Sequence, residues 1–106
     1  MTATFDREAL YAFLRSLPKG VVITYGDAAA QLGNCKWARA VGNALHKNPD
    51  GEGIPCYKVV NSKGELSHAY AFGGLSEQRR RLEADGIEVV DNCVNLKKYG
   101  YKLYGK

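Results

Sequence analysis

Long apolar runs are missing from this sequence. No segment of its 106 residues approaches the roughly 18 consecutive apolar residues of a membrane span. The N-terminal stretch MTATFDREAL contains acids and lacks the apolar core of a signal peptide. We therefore expect a soluble intracellular protein with no membrane partner, cytoplasmic in a bacterium or archaeon and nuclear in a eukaryote.

Cysteine and histidine are also scarce. The three cysteines form no CxxC pair, and their odd number and wide spacing argue against both a disulfide framework and a tetrahedral zinc site. Reduced thiols are expected, with no metal and no cofactor. The cysteines are Cys35, Cys56 and Cys93.

The remaining composition is that of one globular domain, since 45% of the residues are hydrophobic and 25% are charged. A chain of this length buries one core but not two, so we expect a single monomeric domain over residues 1–106. The net charge of +4 and the pI near 9.0 favour a polyanionic partner, because clustered Lys and Arg displace counterions from phosphates.

The first half of the chain has the periodicity of three helices. Apolar residues recur at spacings of three and four over residues 5–17, after Asp6 as the N-cap. Thr24 caps a second predicted helix that stops at residue 33, and a third spans residues 37–46. The last two predict a helix-turn-helix, although helical hairpins of unrelated function share this pattern.

The second half of the chain has more loops, and it predicts a mainly α domain with a short β element. A loop follows residue 48, residues 54–60 combine a turn with a strand, residues 61–64 form a turn, a helix covers residues 76–84, and residues 87–106 contain one short β-like run.

The segment from residue 54 to residue 60 places Cys56 directly after Pro55. A thiol at such a turn is held rigidly, and we expect the nearby cation of Lys58 to favour its nucleophilic thiolate form. The alternative is that Cys56 is a small buried hydrophobe, because free cysteine is among the most buried residue types. The residues by themselves leave both interpretations open.

Several short motifs occur in the order and approximate spacing of one protein family. They are TYGDAA at 24–29, GN at 33–34, ARAVG at 38–42, NP at 48–49, IPC at 54–56, VVNSKG at 59–64, GG at 73–74 and LE at 82–83. Over residues 5–86 the chain resembles the C-terminal domain of the alkylguanine-DNA alkyltransferases, and residues 87–106 form an extension. The alkyltransferase-like proteins are similar in layout but usually have a tryptophan in place of Cys56.

The resemblance implies a winged-helix-like helix-turn-helix that binds double-stranded DNA with an alkylated guanine from the minor groove. Arg39 matches the family's arginine finger, which fills the space left by the flipped nucleotide. Tyr25 matches a tyrosine that helps to rotate the nucleotide and protonates the leaving guanine. Cys56 matches the alkyl acceptor, and Asn48 matches the asparagine that braces its turn. The other predicted DNA contacts are Thr24, Lys36, Asn43 and Lys58.

The sequence departs from the family beside the cysteine. The family activates the thiol with an adjacent histidine that a glutamate orients, whereas this chain has Tyr57 and Asp85 at those two positions. A phenol of pKa near 10 is protonated at neutral pH, so Tyr57 does not replace that base. Either Lys58, or His68 in a pocket loop that is longer than in the family, would then have to activate the Cys56 thiol. Phe72 stands where the family has a pocket serine.

Three functions remain compatible with the sequence. The first is a stoichiometric alkyltransferase that ends with a thioether on Cys56. The second is a non-enzymatic protein that flips alkylguanine and flags it for other repair proteins. The third is a basic helix-turn-helix regulator that reads bases through Arg39 and Asn43. Retention of Cys56 favours the first.

Overall fold

The computed structural model describes residues 5–48, 53–66 and 74–101. Five α-helices, two 3-10 turns and four two-residue strands occur in these ranges, which confirms a mainly helical fold with a short β component. In chain order they are α1 (Arg7–Arg15), β1 (Ile23–Thr24), α2 (Tyr25–Gln31), a 3-10 turn (Cys35–Trp37), α3 (Ala38–His46), a 3-10 turn (Cys56–Lys58), β2 (Val59–Val60), α4 (Gly74–Ala84), β3 (Val89–Val90), β4 (Cys93–Val94) and α5 (Leu96–Tyr99). None of the helices in these ranges is both long and apolar enough to cross a bilayer.

Side-chain caps at the predicted positions begin α1 and α2. The Asp6 carboxylate accepts hydrogen bonds from the backbone N–H of Glu8 at 2.9 Å and of Ala9 at 3.3 Å. The Thr24 hydroxyl accepts from the N–H of Asp27 at 3.0 Å. Each cap satisfies backbone donors that the first turn of a helix leaves without a partner.

The helix-turn-helix consists of α2, a 3-10 turn and α3. Asn34 begins the turn, because its side chain accepts a hydrogen bond from the N–H of Lys36 at 2.9 Å. α3 therefore begins at Ala38, one residue later than the sequence predicts. Val41 on the inner face of α3 is fully buried, whereas Arg39 is exposed.

The two strands of the first sheet join the halves of the chain. β1 and β2 are parallel, with Ile23 opposite Val59 and Thr24 opposite Val60. β2 directly follows the 3-10 turn that contains Cys56, and β1 leads directly into α2. The pairing therefore fixes the Cys56 turn beside the entrance to the helix-turn-helix.

The C-terminal extension has more structure than the one β-like run that the sequence predicts. β3 and β4 form an antiparallel hairpin around Asp91 and Asn92, which both have positive φ, of 53° and 58°. Asp and Asn tolerate this conformation, and it suits a two-residue hairpin turn. At the end of α5 the chain pairs with Val22, the residue before β1, since Val22 donates to the carbonyl of Tyr99 at 2.8 Å and accepts from the N–H of Tyr101 at 2.6 Å.

Two neighbouring apolar clusters fill the interior. The first lies between α1, α2 and α3 and includes Leu14, Val41 and Cys56. The second lies beneath α4 and the hairpin and includes Leu82. Tyr57 packs against both clusters, so the residue beside the cysteine lies at their junction.

Gly64 supplies a test of how the extension is attached. Its φ is +83°, and a Cβ there would clash with the carbonyl oxygen of Val94. We expect Gly64→Ala to lower the free energy of unfolding by about 2 kcal/mol, because it combines a left-handed backbone with a steric overlap. Gly26→Ala in α2, where an added methyl meets nothing within 4 Å, should instead raise it by about 0.5 kcal/mol. Urea unfolding followed by circular dichroism measures both, and equal midpoints would contradict this account.

Candidate functional site at the Cys56 turn

Cys56 is the first residue of a single 3-10 turn that follows Pro55. Its N–H donates to the carbonyl of Ile54 at 2.7 Å, and the N–H of Lys58 donates to the carbonyl of Pro55 at 3.1 Å. Cys56 is 4% exposed. The turn is thus rigid, as a nucleophile requires, and buried, as a core cysteine would be. The groups around it distinguish the two interpretations.

Asn48 holds the N-terminal side of the turn. It is 7% exposed, and its side-chain amide donates to the carbonyl of Ile54 at 3.1 Å. Ile54 lies two residues before Cys56, so this is the contact expected of an asparagine that braces the cysteine turn.

Gln78 of α4 holds the opposite side of the turn, although no sequence motif indicated it. Its side chain is 1% exposed, and its Nε2 donates to the carbonyls of Tyr57 at 3.0 Å and Val59 at 3.3 Å. These bonds satisfy carbonyls that flank the turn. The signal for Gln78 was weak: it occupies the inner face of α4 between Leu75 and Leu82, where an apolar residue is normally found.

The Lys58 side chain is buried and paired inside the protein. Its ammonium lies 3.2 Å from Oδ2 of Asp85 and donates to the carbonyl of Pro18 at 2.8 Å, and the whole residue is 4% exposed. This position does not fit the predicted contact of Lys58 with DNA, because a buried ammonium that is paired with a carboxylate does not reach a phosphate. Asp85 balances its charge, so Lys58 is not an electrostatic substitute for the missing base either.

The contacts of Asp85 hold segments of the fold together and do not orient a base. Besides Lys58, its Oδ2 accepts a hydrogen bond from the N–H of Gly20 at 2.8 Å. The carboxylate thereby links the end of α4 to the chain that enters β1. The expectation that Asp85 orients the residue at position 57 is not matched by any hydrogen bond that the structure shows between their side chains.

Tyr57 is a proton donor at neutral pH. Burial raises the pKa of its phenol, the nearby carboxylate of Asp85 raises it further, and Arg81 partly offsets this. Both effects act in this direction because the charged form of a phenol is an anion. Tyr57 therefore stays protonated beside Cys56 and cannot take its proton.

The other predicted DNA contacts lie at the start of the helix-turn-helix and on its second helix. Arg39 and Asn43 are four residues apart on α3, which places both on one exposed face. Tyr25 begins α2, and its ring lies beside Gly42, so it packs where α2 meets α3. Exposed residues of the predicted set are Lys36, Arg39 and Asn43, and partly buried ones are Thr24 and Tyr25.

Two residues considered for the pocket loop, His68 and Phe72, lie outside the described residues. Within the described ranges, no group of three or more His, Cys, Asp or Glu side chains is placed to hold a metal ion.

The family model for the DNA-binding domain of 6-O-methylguanine DNA methyltransferase matches residues 6–87. The chain belongs to this family. The match spans α1, the helix-turn-helix, the Cys56 turn and α4, and it ends before the C-terminal hairpin. The comparison thus agrees with the alkyltransferase resemblance of the sequence.

Members of the family with different names resemble this chain. A bifunctional methyltransferase/endonuclease of Picrophilus torridus is 48% identical over 90% of the chain, which spans only 31% of that protein. A DNA base-flipping protein of Vibrio parahaemolyticus is 38% identical over 88% of the chain and 92% of its own length. The crystal structure of S. pombe alkyltransferase-like protein 1, in complex with damaged DNA containing O6-carboxymethylguanine, superposes with a TM-score of 0.80, 32% identity and coverage of 91% of this chain and 94% of that one.

The buried pair of Lys58 and Asp85 predicts a large effect on stability. We expect Asp85→Asn to lower the free energy of unfolding by about 3 kcal/mol, because it leaves the Lys58 ammonium buried without its counterion. Adding Lys58→Met should restore part of this loss. Glu83→Gln is the matched control, since its pair with Arg79 is about half exposed on each side and contributes about 0.5 kcal/mol or less. Equal losses for Asp85→Asn and Glu83→Gln in urea unfolding would contradict the structural role.

Proposed function

We propose that this domain binds duplex DNA, rotates an alkylated guanine out of the stack and accepts its alkyl group on Cys56 in one irreversible transfer. The turn that presents Cys56 carries this proposal. Asn48 and Gln78 hydrogen-bond the backbone on either side of it, and the Lys58–Asp85 pair anchors its end. A cysteine that only filled space in the core would not require so many buried polar groups around its backbone.

Three features support DNA as the partner. The chain has a net charge of +4. Arg39 and Asn43 are exposed on the second helix of a helix-turn-helix, the position from which such motifs enter a groove. The S. pombe relative was crystallised with damaged DNA containing O6-carboxymethylguanine.

Burial of Cys56 makes flipping a requirement of the chemistry. A stacked guanine cannot bring its O6 substituent to a thiol that is 4% exposed, whereas a nucleotide rotated into the protein can approach it. Arg39 would then occupy the vacated space in the duplex.

The transfer is a displacement at the alkyl carbon. The Cys56 thiol loses its proton to water, and the thiolate forms an S–C bond while the bond from carbon to guanine O6 breaks. The bonding pair stays with the guanine, which takes up a proton through Tyr25. The products are a thioether and an unmodified guanine, and the protein is consumed once.

A second candidate function is lesion recognition without transfer. It is favoured by the protonated state of Tyr57 beside Cys56 and by the Vibrio parahaemolyticus relative, which is named a base-flipping protein and which this chain matches over 92% of its length. In this function the domain binds alkylguanine at the Cys56 turn without transfer, and the complex marks the lesion for another pathway.

Arg39 should control discrimination between damaged and normal DNA. We expect Arg39→Ala to reduce the ratio of affinities for methylguanine and guanine duplexes by about tenfold, or about 1.4 kcal/mol, because the finger acts only after rotation. Lys36→Ala, which removes a phosphate contact, should weaken binding to both duplexes equally. Fluorescence anisotropy in a Cys56→Ala background measures both without transfer. If Arg39→Ala weakens both duplexes equally, Arg39 is a phosphate contact.

The pH dependence of transfer distinguishes the two functions. We expect methylation of Cys56 to accelerate with rising pH until the thiol is ionised, because Tyr57 does not remove its proton at neutral pH. Tyr57→His should speed transfer at pH 7 by about 100-fold, the lower range for a positioned base, while Tyr57→Phe should leave the pH profile unchanged. Intact-protein mass spectrometry after incubation with a methylguanine duplex measures the one-methyl gain.

Cys56→Ala provides the control for this experiment, since it should abolish the mass gain and preserve preference for the lesion. Wild-type protein that prefers the lesion but never gains a methyl group, even at high pH, would leave lesion recognition as the function.

A further inference from the structure

The family match ends at residue 87, yet the chain beyond it lies against the elements that form the candidate site. Leu96 of α5 contacts the position of Gly64, since its Cγ would lie 3.3 Å from a Cβ there. Leu96 also lines a cleft of about 190 Å³ together with Thr24, Asp27 and Tyr101. α5 therefore lies between the 61–64 turn, which follows β2, and the N-terminus of α2.

α5 is fixed in this position at both ends. The side chain of Asn95 accepts hydrogen bonds from the N–H groups of Lys97 at 3.0 Å and Lys98 at 3.3 Å. At its other end, the backbone of Tyr99 and Tyr101 pairs with that of Val22. A four-residue helix would not be stable alone, so these contacts are what hold its lysines in place.

Three exposed lysines lie on the elements that meet at this junction. Lys97 and Lys98 are on α5, and Lys63 is in the 61–64 turn. Among the described residues, none of the three forms an ion pair with a carboxylate. Two acids lie near this junction. Asp27, at the N-terminus of α2, lines the cleft, and Glu65 accepts a hydrogen bond from Asn61.

The arginine run of α4 is different, although its sequence is more basic. Arg80 and Arg81 both bind Glu77, and their hydrogen bonds lower the pKa of that carboxyl to about 2. Arg79 pairs with Glu83. The three arginines share two carboxylates of their own helix, so the run presents less positive charge to a phosphate than its sequence suggests.

We propose that Lys63, Lys97 and Lys98 form a second contact with the DNA backbone, the α5 patch, which binds phosphates flanking the flipped nucleotide. Two of these lysines follow Leu96, which lines a cleft with Thr24, and Lys63 lies in the turn after β2, whereas Arg39 would enter the duplex from α3. The inference rests on the proposed function, because it requires that the domain bind duplex DNA. The patch contributes affinity without reading sequence or damage.

The test replaces all three lysines by glutamine in the full chain. The expected result is weaker binding to methylguanine and guanine duplexes by the same factor, and a smaller slope of log Kd against log salt, by roughly 0.9 for each phosphate that the variant no longer binds. The ratio of the two affinities and the rate of any methyl transfer at saturating DNA should not change. Anisotropy titrations at several salt concentrations provide the data.

Two control variants isolate the patch. Replacing Arg15, Lys19 and Arg79 by glutamine removes the same charge from other surfaces and should leave the slope closer to that of the wild type. Replacing the three lysines of the patch by arginine keeps the charge and should retain binding. An unchanged midpoint of thermal unfolding in each variant shows that its fold is intact.

The outcomes separate this inference from the proposed function. If the wild type prefers the lesion duplex but the glutamine variant keeps its affinity and slope, the α5 patch is wrong and the proposed function is unaffected. An equal loss of affinity and slope when Arg15, Lys19 and Arg79 are replaced by glutamine would also overturn the patch, because net charge would then explain the effect. A wild type that binds no duplex even at low salt overturns both.

Discussion

The parallel pairing of β1 with β2 connects the Cys56 turn to the helix-turn-helix. Only two residues of each strand take part, Ile23 with Val59 and Thr24 with Val60. The Cys56 turn precedes one strand, and α2 follows the other. A strand pair this short is marginal by itself, so its geometry depends on the apolar clusters and polar contacts around it.

Buried polar side chains supply those contacts. Asn48, Gln78 and Lys58 are each less than a tenth exposed, and each satisfies a backbone carbonyl near the turn or at its anchor. A buried polar group is costly unless it is hydrogen-bonded, so together they favour one backbone arrangement over other compact packings. The same arrangement leaves Tyr57 protonated between two apolar clusters, which sets the chemistry available to Cys56.

Whether a basic segment presents positive charge depends on its acidic partners and not only on how many basic residues it contains. The three arginines of the run on α4 are partly offset by two carboxylates one turn away, Glu77 and Glu83. Arg39 and the lysines of the α5 patch have no carboxylate partner among the described residues. Net charge from the sequence therefore favours a polyanionic partner, while the pattern of ion pairs shows which of the described basic side chains keep their charge unpaired.

By itself the sequence determined the local features, such as helix caps, that depend only on residues adjacent in the chain. Asp6 and Thr24 cap helices because a cap needs only the next three residues, and the positions of Arg39 on α3 and of Cys56 after Pro55 are equally local. Family motifs added the expected roles of Asn48 and Tyr25. Tertiary structure alone decided the fate of Lys58, whose ammonium binds Pro18, 40 residues earlier, and the structural use of Asp85, which binds Gly20, 65 residues earlier. The importance of Gln78 and the pairing of the end of α5 with Val22 also depended on contacts between distant segments, because the polarity of a side chain does not specify which partner the fold brings to it.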